Sequence, residues 1–425
     1  MKKYTLEQNS WTSWEPVDIF LPDEWEVEYH GMKGDELPAM TKEQIIERIN
    51  QPYGCKKLGE MAKGAKKVAI VFDDMTRGTP TKIMAEATLD ILHEAGIQKD
   101  QIRFICAVGM HGAHTTEQFA AKLGERIVQN YEVFNHNPYE NCVEVGTTKD
   151  GTVVKINKEF MSCDLKIGLG AITPHIFNAY GGGGKILFPG IADADTVHKN
   201  HVTGTKFLIE NKLNIVTNVG KLEVDAMRNE IEEMVKMVGP FFKVDCIYNS
   251  KLVPVKVYAG DPIAEYYEGV KDAQYLYATQ LSQDKDIVII NANAKANEAS
   301  LAAAMAALGI SQERGGDVVL VNFTQMGQMT HYLLGAFGTE TGGRLWGKLS
   351  KARAGLNKFV YHSSTYGYSD LAWFGDRSKM VFAPTWDDVL KELSHHGAGT
   401  KVSVICDGTL AYYNNDCWEK AKTYK

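Results

Sequence analysis

Short apolar runs alternate with segments of helical periodicity from about residue 66 onward, and this alternation constrains the fold more than any other feature. Val68–Phe72 is typical of a buried strand, because consecutive apolar residues leave no face for solvent. The next segment places Ala85, Leu89 and Leu92 on one face of a helix that Gly96 would end. Strands that alternate with helices predict an α/β fold, in which helices cover a parallel or mixed sheet.

The alternation comes in two series, which predict two lobes. The further strands expected in the first series are Ile102–Val108, Leu165–Leu169, Val244–Tyr248 and Val253–Tyr258. Those expected in the second series are Ile287–Ile290, Val318–Val321, Phe359–His362, Met380–Phe382 and Val402–Cys406. Since 425 residues are too many for one ordinary core, we expect a larger lobe over residues 1–272 and a smaller one over 273–425. Each lobe should be a sheet flanked by helices, with the active site in the cleft between them.

Composition and charge exclude several classes of protein. The chain is 44% hydrophobic and 23% charged, as globular proteins are, and its net charge of -7 argues against a nucleic-acid partner. Lys2 and Lys3 are followed by no apolar stretch, and nothing approaches the roughly 18 apolar residues of a membrane span, so we expect a cytoplasmic protein without a membrane partner. Seven cysteines without a CxxC pair fit reduced thiols.

Two loops that follow predicted strands carry polar residues of catalytic type. Asp73–Pro80 combines carboxylates, hydroxyls and Arg77, whose guanidinium can hold two oxygens of a phosphate or carboxylate. A capped loop with a local Asp–Arg pair is the structural alternative. The second loop, Val108–Glu117, holds His111 and His114 between glycines, which suits an acid/base group, a metal pair or ordinary polar loop residues.

A third loop, Thr173–Gly190, contains four consecutive glycines directly before Lys185. Glycines lose much backbone entropy on ordering, so a close approach of the backbone to a ligand is the favoured reason for them, and a flexible linker is the alternative. The loop is not a Walker A sequence, because Ala179 and Ile186 stand where glycine and Ser/Thr are required. ATP hydrolysis is therefore disfavoured.

Together these segments resemble the nickel-pincer nucleotide-dependent lactate racemase family. The matching motifs are Asp74–Arg77, Gly109-x-His111, Pro174-His175, the glycines into Lys185 with Pro189-Gly190, and His201. They occur in the same order and at compatible spacings over most of the larger lobe.

The resemblance implies two α/β lobes around a nicotinate-derived mononucleotide, attached to a lysine as a thioamide and carrying nickel held by a ring carbon, two sulfurs and a histidine. By motif, the lysine is Lys185 and the nickel ligand is His201. His111 and His175 become the paired acid/base groups. The residues expected to contact the cofactor are Lys185, Asp74, Thr76, Arg77, Gly182, Gly183 and Gly184. Arg77 is also expected to contact the substrate.

The implied activity is that of a racemase or epimerase of a 2-hydroxy acid. The hydrogen on C2 beside a carboxylate is a very poor acid, so its removal as hydride avoids a carbanion. A flat 2-oxo acid results, and a histidine on each face allows inversion. The resemblance also implies that separate biosynthetic proteins supply the cofactor.

The sequence departs from the family in the smaller lobe. Where lactate racemases present a Tyr-Gln pair and a lysine to the substrate, this chain has Asn291–Glu298. Asn293, Asn297 and Glu298 could bind hydroxyls of a longer substrate such as an aldonic acid, or merely cap a helix that starts near Asn297. Gly112 stands where an arginine is expected, which also favours a larger substrate.

Two hypotheses from other classes stay open. His198 and His201 have a spacing that suits one side of a helical turn, so a zinc-dependent hydrolase is one alternative. The other is a non-catalytic two-lobed binder whose glycine loop holds a phosphate.

Overall fold

The structure is a computed structural model, and it describes residues 1–8, 15–212, 219–220, 226–324, 326–329, 331–333 and 354–424. The chain divides into two compact units. The larger unit comprises Leu37–Asn249 and Val253–Gln274. The smaller unit comprises Met1–Glu36, Ser250–Leu252 and Tyr275–Lys425. Both are α/β, as the sequence predicted.

The larger unit is built on a six-stranded sheet. Its strands, in spatial order, are Pro254–Gly260, Phe242–Tyr248, Leu165–Ala171, Val68–Asp73, Ile102–Ala107 and Glu132–Asn135. The first pair is antiparallel and the other pairs are parallel. Every residue of Val68–Asp73 is buried, because helices cover both faces of a parallel sheet. A separate antiparallel pair is formed by Cys142–Thr147 and Val153–Asn157.

Helices of the larger unit connect these strands. They are Lys42–Ile49, Leu58–Ala62, Thr81–Glu94, Thr116–Leu123, Glu125–Asn130, Lys158–Met161, Ala194–Glu210, Ala226–Met237 and Ala264–Leu276, with 3-10 turns at Lys99–Gln101 and Gly183–Ile186. Thr81–Glu94 buries Met84, Leu89 and Leu92 on one face, as its periodicity predicted. In the part of the chain described, no helix combines the length and the apolar character that a membrane crossing needs.

The smaller unit has an entirely parallel six-stranded sheet. Its strands, in spatial order, are Met380–Ala383, Leu356–His362, Gly316–Val321, Ile287–Asn291, Lys401–Ile405 and Glu26–His30. Two short pairs accompany it: Lys2–Leu6 with Val17–Leu21, and Ala278–Thr279 with Tyr412–Tyr413. Its helices are Ser300–Ala306, Trp386–Glu392 and Asn415–Ala421, with 3-10 turns at Lys33–Glu36, Ala296–Glu298, Asp370–Trp373 and Arg377–Lys379.

The predicted boundary at residue 272 lies close to the division at Gln274, but the assignment of the N-terminus needs a correction. Residues 1–36 belong to the smaller unit, where Glu26–His30 pairs with Lys401–Ile405 as the edge strand. This strand has mostly polar, exposed side chains, so it lacks the apolar run by which the buried strands were found. The strands that the sequence predicted are all present, with ends shifted by a few residues.

Candidate active site

Three neighbouring strands of the larger unit bring the three polar loops together. Leu165–Ala171, Val68–Asp73 and Ile102–Ala107 lie side by side and run parallel, so the loops at their carboxyl ends meet at one edge of the sheet. Gly109 ties two of these loops together, because its N–H donates to the carbonyl of Gly190 at 2.9 Å.

The Asp74 carboxylate is the centre of the first loop. Its Oδ1 accepts hydrogen bonds from the Thr76 N–H at 3.0 Å and the Thr76 hydroxyl at 2.5 Å. Its Oδ2 lies 2.5 Å from His111 Nδ1 and 3.9 Å from His114 Nε2. Burial would raise the pKa of Asp74, but the charge and hydrogen bond of His111, followed by His114 and Arg77, hold it well below its usual range. An ionised Asp74 that accepts Nδ1–H leaves the lone pair of His111 on Nε2, where a base needs it.

The neighbouring carboxylate, Asp73, has a structural role. The fully buried Lys122 ammonium lies 3.0 Å from Asp73 Oδ1 and donates to the Arg77 carbonyl at 2.6 Å. Thr79 also donates its hydroxyl to Asp73. Lys122 lies at the end of Thr116–Leu123, and no sequence motif singled it out.

Arg77 and His114 complete the surroundings of Asp74. Arg77 Nη1 donates to the Thr76 hydroxyl at 2.6 Å, so its guanidinium lies beside the Asp74 turn. His114 is buried, and its ring Nδ1 lies 3.1 Å from Gln118 Oε1. The backbone N–H of His114 donates to Asn135 Oδ1 at 2.9 Å. These contacts hold the second loop in place.

The glycines before Lys185 are required by contacts within the protein. Gly182 and Gly183 have φ of 91° and 57°, which side chains rarely adopt. A Cβ on Gly183 would lie 2.7 Å from the Pro262 carbonyl oxygen, and one on Gly184 would lie 2.3 Å from Val235 Cγ2. The prediction of a close approach to a ligand therefore has a competing explanation at these glycines. The 3-10 turn they start, Gly183–Ile186, leaves Lys185 partly exposed between buried neighbours.

Buried charges hold the glycine loop from behind. Asp245 Oδ2 accepts the Gly183 N–H at 2.6 Å, and its Oδ1 pairs with the buried Lys243. Arg228 donates to the Gly182 carbonyl at 3.0 Å and places its guanidinium 4.0 Å over the ring of Tyr266. The sequence analysis missed this arrangement, although charges inside the buried strand Phe242–Tyr248 were a visible sign of it.

A buried carboxyl accompanies those charges. Burial, followed by the negative charge of Asp245, raises the pKa of Glu265 well above its usual range. Glu265 is therefore neutral beside the Asp245–Lys243 pair.

His175 lies on the segment between the strand and the glycines. Its Nδ1 accepts the N–H groups of Phe177 at 3.1 Å and Asn178 at 3.3 Å. In the neutral ring this places the proton on Nε2. His175 and His111 thus present opposite tautomers, one with Nε2–H and the other with a lone pair on Nε2.

His201 is a buried, neutral imidazole on helix Ala194–Glu210. Its Nδ1 lies 2.9 Å from the Val197 carbonyl, which accepts Nδ1–H and leaves the lone pair on Nε2. Burial, with the charges of Lys185, His111 and His198, lowers the pKa of His201 to about 4. A histidine that donates one ring N–H to a carbonyl and keeps the other nitrogen basic is a common metal ligand.

The helix that carries His201 is anchored by a buried carboxylate that the sequence analysis did not identify. Glu230 accepts the Asn200 amide at 2.8 Å, the Thr148 hydroxyl at 3.1 Å and the Thr152 hydroxyl at 2.5 Å. Asn200 directly precedes His201, so Glu230 fixes the position of that imidazole.

The zinc-hydrolase hypothesis finds little support in this geometry. His198 lies on the same helix as His201 and adds to the lowering of its pKa. Within the described residues, however, no carboxylate or cysteine joins them in a three-ligand group. Three protein ligands are the usual set for a catalytic zinc ion.

The smaller unit holds the other predicted site residues, at the carboxyl end of strand Ile287–Asn291. Asn293 is fully buried, with Nδ2 donating to the Ser250 carbonyl at 2.5 Å. Asn297 is also buried, and Glu298 is partly exposed. Helix Ser300–Ala306 has Ala299 at its N-cap without a side-chain hydrogen bond, so neither Asn297 nor Glu298 occupies that N-cap position.

Asp407 follows strand Lys401–Ile405 at this same edge and was not predicted. It accepts N–H groups of Ala294 at 3.0 Å and Thr409 at 2.8 Å, and the Thr409 hydroxyl at 2.6 Å. Burial raises its pKa to about 6. Its Asp-Gly-Thr sequence directly after a predicted strand was the sign that could have revealed it.

Comparison with known proteins relates the chain to one enzyme family. Residues 14–212 match a family model described as the lactate racemase N-terminal domain. A lactate racemase from Thermoanaerobacterium thermosaccharolyticum is 28% identical over 253 residues, which cover 59% of this chain and only 58% of that relative. One from Lactiplantibacillus plantarum is 25% identical over 393 residues, covering 87% of this chain and 90% of that relative. The chain is similar to lactate racemases over most of its length, and its residues 14–212 match the N-terminal domain of that family.

Solved structures agree on the fold. The lactate racemase apoprotein from Thermoanaerobacterium thermosaccharolyticum superimposes with a TM-score of 0.70 at 21% identity, covering 97% of this chain and 100% of that one. A protein from Thermotoga maritima gives a TM-score of 0.62 at 18% identity, covering 88% and 99%.

Proposed function

We propose that this protein is an isomerase, a racemase or epimerase that inverts C2 of a 2-hydroxy acid. The similarity to the two curated relatives described above supports this activity, since both are named lactate racemase. The single observation that carries it is that Lys185 and His111 lie near enough to the buried His201 imidazole for their charges to lower its pKa.

The residues present fit a nickel-pincer nucleotide attached covalently at Lys185, with nickel on His201. His201 is neutral and turns a basic nitrogen away from Val197, as a metal ligand does. Asn178, in the same loop as His175, is fully buried, and neither atom of its amide has a hydrogen-bond partner among the described residues. Burying a side-chain amide without hydrogen bonds costs folding free energy unless a ligand supplies the missing partners. A bound nucleotide would supply them. When bound, this group supplies a hydride acceptor, so C2–H need not leave as a proton.

His111 is the base for the substrate hydroxyl in this proposal. Asp74 orients the imidazole through Nδ1 and stabilises the imidazolium that forms when Nε2 takes the proton. Arg77 is positioned beside the same turn to hold the substrate carboxylate or a cofactor phosphate, with Thr76 between them. Gly182, Gly183 and Gly184 are proposed to support the cofactor through their backbone.

His175 presents a hydrogen-bond donor on the opposite face in this proposal, and it can give up that proton only as an imidazolium that carries a proton on Nδ1 as well. Its Nε2–H can hydrogen-bond the oxygen of the 2-oxo acid while the C2 centre is flat. To act as a base in the reverse direction, its Nδ1 must release the amides of Phe177 and Asn178.

The substrate is proposed to be lactate-like, or larger and more hydroxylated, as an aldonic acid is. Asn293 supports the second option, because its Oδ1 is buried without a partner among the described residues. Asn297 and Glu298 are proposed to contribute further contacts. A stereochemical assay of loaded enzyme against a panel of 2-hydroxy acids separates the options, and a preference for lactate over every longer acid would exclude the larger substrate. We further propose a cytoplasmic enzyme that receives its cofactor from separate biosynthetic proteins.

Intact-protein mass tests the covalent attachment. Protein isolated from cells that make the cofactor should be heavier than its sequence, with the excess mapped to Lys185. Lys185→Ala should lose that excess, while Lys158→Ala, at an exposed lysine of the same unit, should keep it. A native mass without modification, in protein that still inverts its substrate, would disprove the attachment.

Isotope labelling tests the hydride route. During single-turnover inversion of a substrate carrying deuterium at C2, the deuterium should stay at C2 of the product. Exchange of that label for solvent hydrogen would point to proton abstraction, and the hydride route would then be dropped.

A further inference from the structure

A carboxylate and two consecutive histidines meet in the smaller unit. Asp317 is near the start of strand Gly316–Val321, and His395 and His396 follow helix Trp386–Glu392. Asp317 Oδ2 lies 3.0 Å from His395 Nε2 and 2.9 Å from His396 Nε2. Because the sheet is parallel, this amino-end cluster lies at the edge opposite the Asn293 and Asp407 side chains. It is therefore separate from the proposed substrate residues.

The carboxylate is buried, while one of the imidazoles is open to solvent. The Asp317 side chain is 1% exposed and the His395 side chain is 54% exposed. Among the described residues, the two imidazoles are the only ion-pair partners of Asp317, and its Oδ1 has no hydrogen-bond partner. A buried carboxylate needs compensation of its charge, and here that compensation depends on these two rings.

Two protonated rings would compensate the charge poorly. The ring centroids of His395 and His396 are 4.2 Å apart, so two imidazolium ions would repel each other strongly at that distance. One divalent cation avoids this repulsion, because it binds neutral imidazoles and carries the positive charge itself. Two imidazole nitrogens and one carboxylate oxygen are a donor set that zinc takes.

The spacing of the three ligand atoms suits such an ion. All three lie within 4.8 Å of one another. Zinc–ligand bonds of about 2.0–2.1 Å in a tetrahedron place ligand atoms roughly 3.3 Å apart, close to the two separations measured from Asp317. His395 is open to solvent, so a water molecule would be the fourth ligand.

The neighbouring groups favour positive charge at this place. The Asp286 carboxylate is near enough to His396 for their charges to interact, which adds negative potential. Its own oxygens are engaged by Arg314 at 3.0 Å and by the Lys401 N–H at 2.9 Å, so Asp286 acts through charge and does not bind the ion. The Trp25 ring lies edge-on to His396 at 6.3 Å and covers that side.

We propose that Asp317, His395 and His396 form a second metal site, for a divalent transition-metal ion of the zinc type. The ion joins the segment after helix Trp386–Glu392 to strand Gly316–Val321, two elements that are distant in sequence. This site is independent of the proposed racemase activity and of nickel at His201.

Zinc titration of the metal-stripped full chain tests the proposal, with a chromophoric chelator as competitor. Wild-type protein should bind one more equivalent of Zn²⁺ than His395→Ala or Asp317→Asn, and Zn²⁺ should raise the melting temperature of wild type but not of these variants. His395 is half exposed, so its replacement leaves the core intact.

Two controls separate this site from others. His93→Ala, at an exposed histidine of the larger unit that bonds Tyr131, should still bind the additional equivalent of Zn²⁺. His201→Ala should also bind the additional equivalent of Zn²⁺. That result would distinguish this ion from any zinc bound near Lys185. Wild-type binding unchanged in His395→Ala, or absence of zinc binding by wild type, would overturn the proposal.

Discussion

Two turns with the same local structure occur in the two units, and their carboxylates have opposite electrostatic behaviour. Asp74 and Asp407 each follow the carboxyl end of a parallel strand, and each is followed two residues later by threonine. In both turns one carboxylate oxygen accepts the threonine N–H and hydroxyl, at 3.0 and 2.5 Å for Thr76 and at 2.8 and 2.6 Å for Thr409. The local sequence therefore determines the turn.

The surroundings determine the charge. Burial would raise the pKa of Asp74, yet His111, His114 and Arg77 hold it well below its usual range. At Asp407, burial outweighs the hydrogen bonds from Thr409 and Ala294 and the positive charge of Lys295, all of which lower the pKa. The pKa of Asp407 is therefore raised to about 6. The comparison teaches that a buried carboxylate orients a base only where cationic partners keep it ionised.

The largest expected effect is on catalysis, in Asp74→Asn. An amide in place of the carboxylate no longer stabilises the imidazolium of His111, and its NH₂ group can turn the lone pair of His111 away from Nε2. We expect the turnover of cofactor-loaded enzyme to fall by about 10²- to 10⁴-fold. Asp407→Asn is the matched control and should lower turnover far less, because none of the described histidines is hydrogen-bonded to Asp407. Equal losses in stereochemical assays of the two variants would contradict the difference between the turns.

The next effect is on stability and has opposite signs in the two turns. Because the folded pKa of Asp407 is raised to about 6 from 3.8, the folded protein keeps a proton that the unfolded chain has lost between these values. The contribution of Asp407 to the free energy of unfolding is greatest below pH 3.8. It is lost as the pH rises to 6, and the loss amounts to about 3 kcal/mol. The contribution of Asp74, whose pKa is lowered, is present above the unfolded pKa and is lost as the pH falls below it.

Urea unfolding from pH 3 to 7 of wild type, Asp407→Asn and Asp74→Asn measures both contributions. As the pH rises, the unfolding free energy of wild type should fall relative to that of Asp407→Asn. Over the same range it should rise relative to that of Asp74→Asn. Two differences that change in the same direction would show that the surroundings do not distinguish the carboxylates.

The smallest effect is expected from removal of the threonine hydroxyls. Thr76→Val should cost about 2 kcal/mol of unfolding free energy, since the hydroxyl bonds an ionised carboxylate. Thr409→Val should cost about 1 kcal/mol at pH 5, where Asp407 is neutral, and its cost should approach that of Thr76→Val above pH 6. Chemical denaturation at pH 5 and pH 7 measures the pair, and a cost for Thr409→Val that does not change with pH would argue against an Asp407 pKa near 6.

Much of the fold could be predicted from the sequence, because buried strands are recognised as runs of apolar residues. Val68–Asp73 and Ile287–Asn291 are buried on both faces, so no polar residue interrupts their pattern. The edge strands Glu26–His30 and Glu132–Asn135 were missed for the opposite reason, since their exposed sides are polar. The sequence likewise indicated three loops that share one sheet edge, because each follows a strand of one parallel series.

Other properties depended on segments that are far apart in the chain. The sequence could not tell which of Asp73 and Asp74 faces a histidine, since that depends on where Lys122 and His111 arrive from other elements. Nor could it show that Asp245 and Arg228 hold the glycine loop, or that Asn293 is buried. By itself the sequence determined the strands, the helices and the local hydrogen bonds of each turn, because these depend on neighbouring residues. The tertiary structure alone decided the charge states and the partners of the buried side chains, because desolvation and charge act through space between residues that the fold brings together.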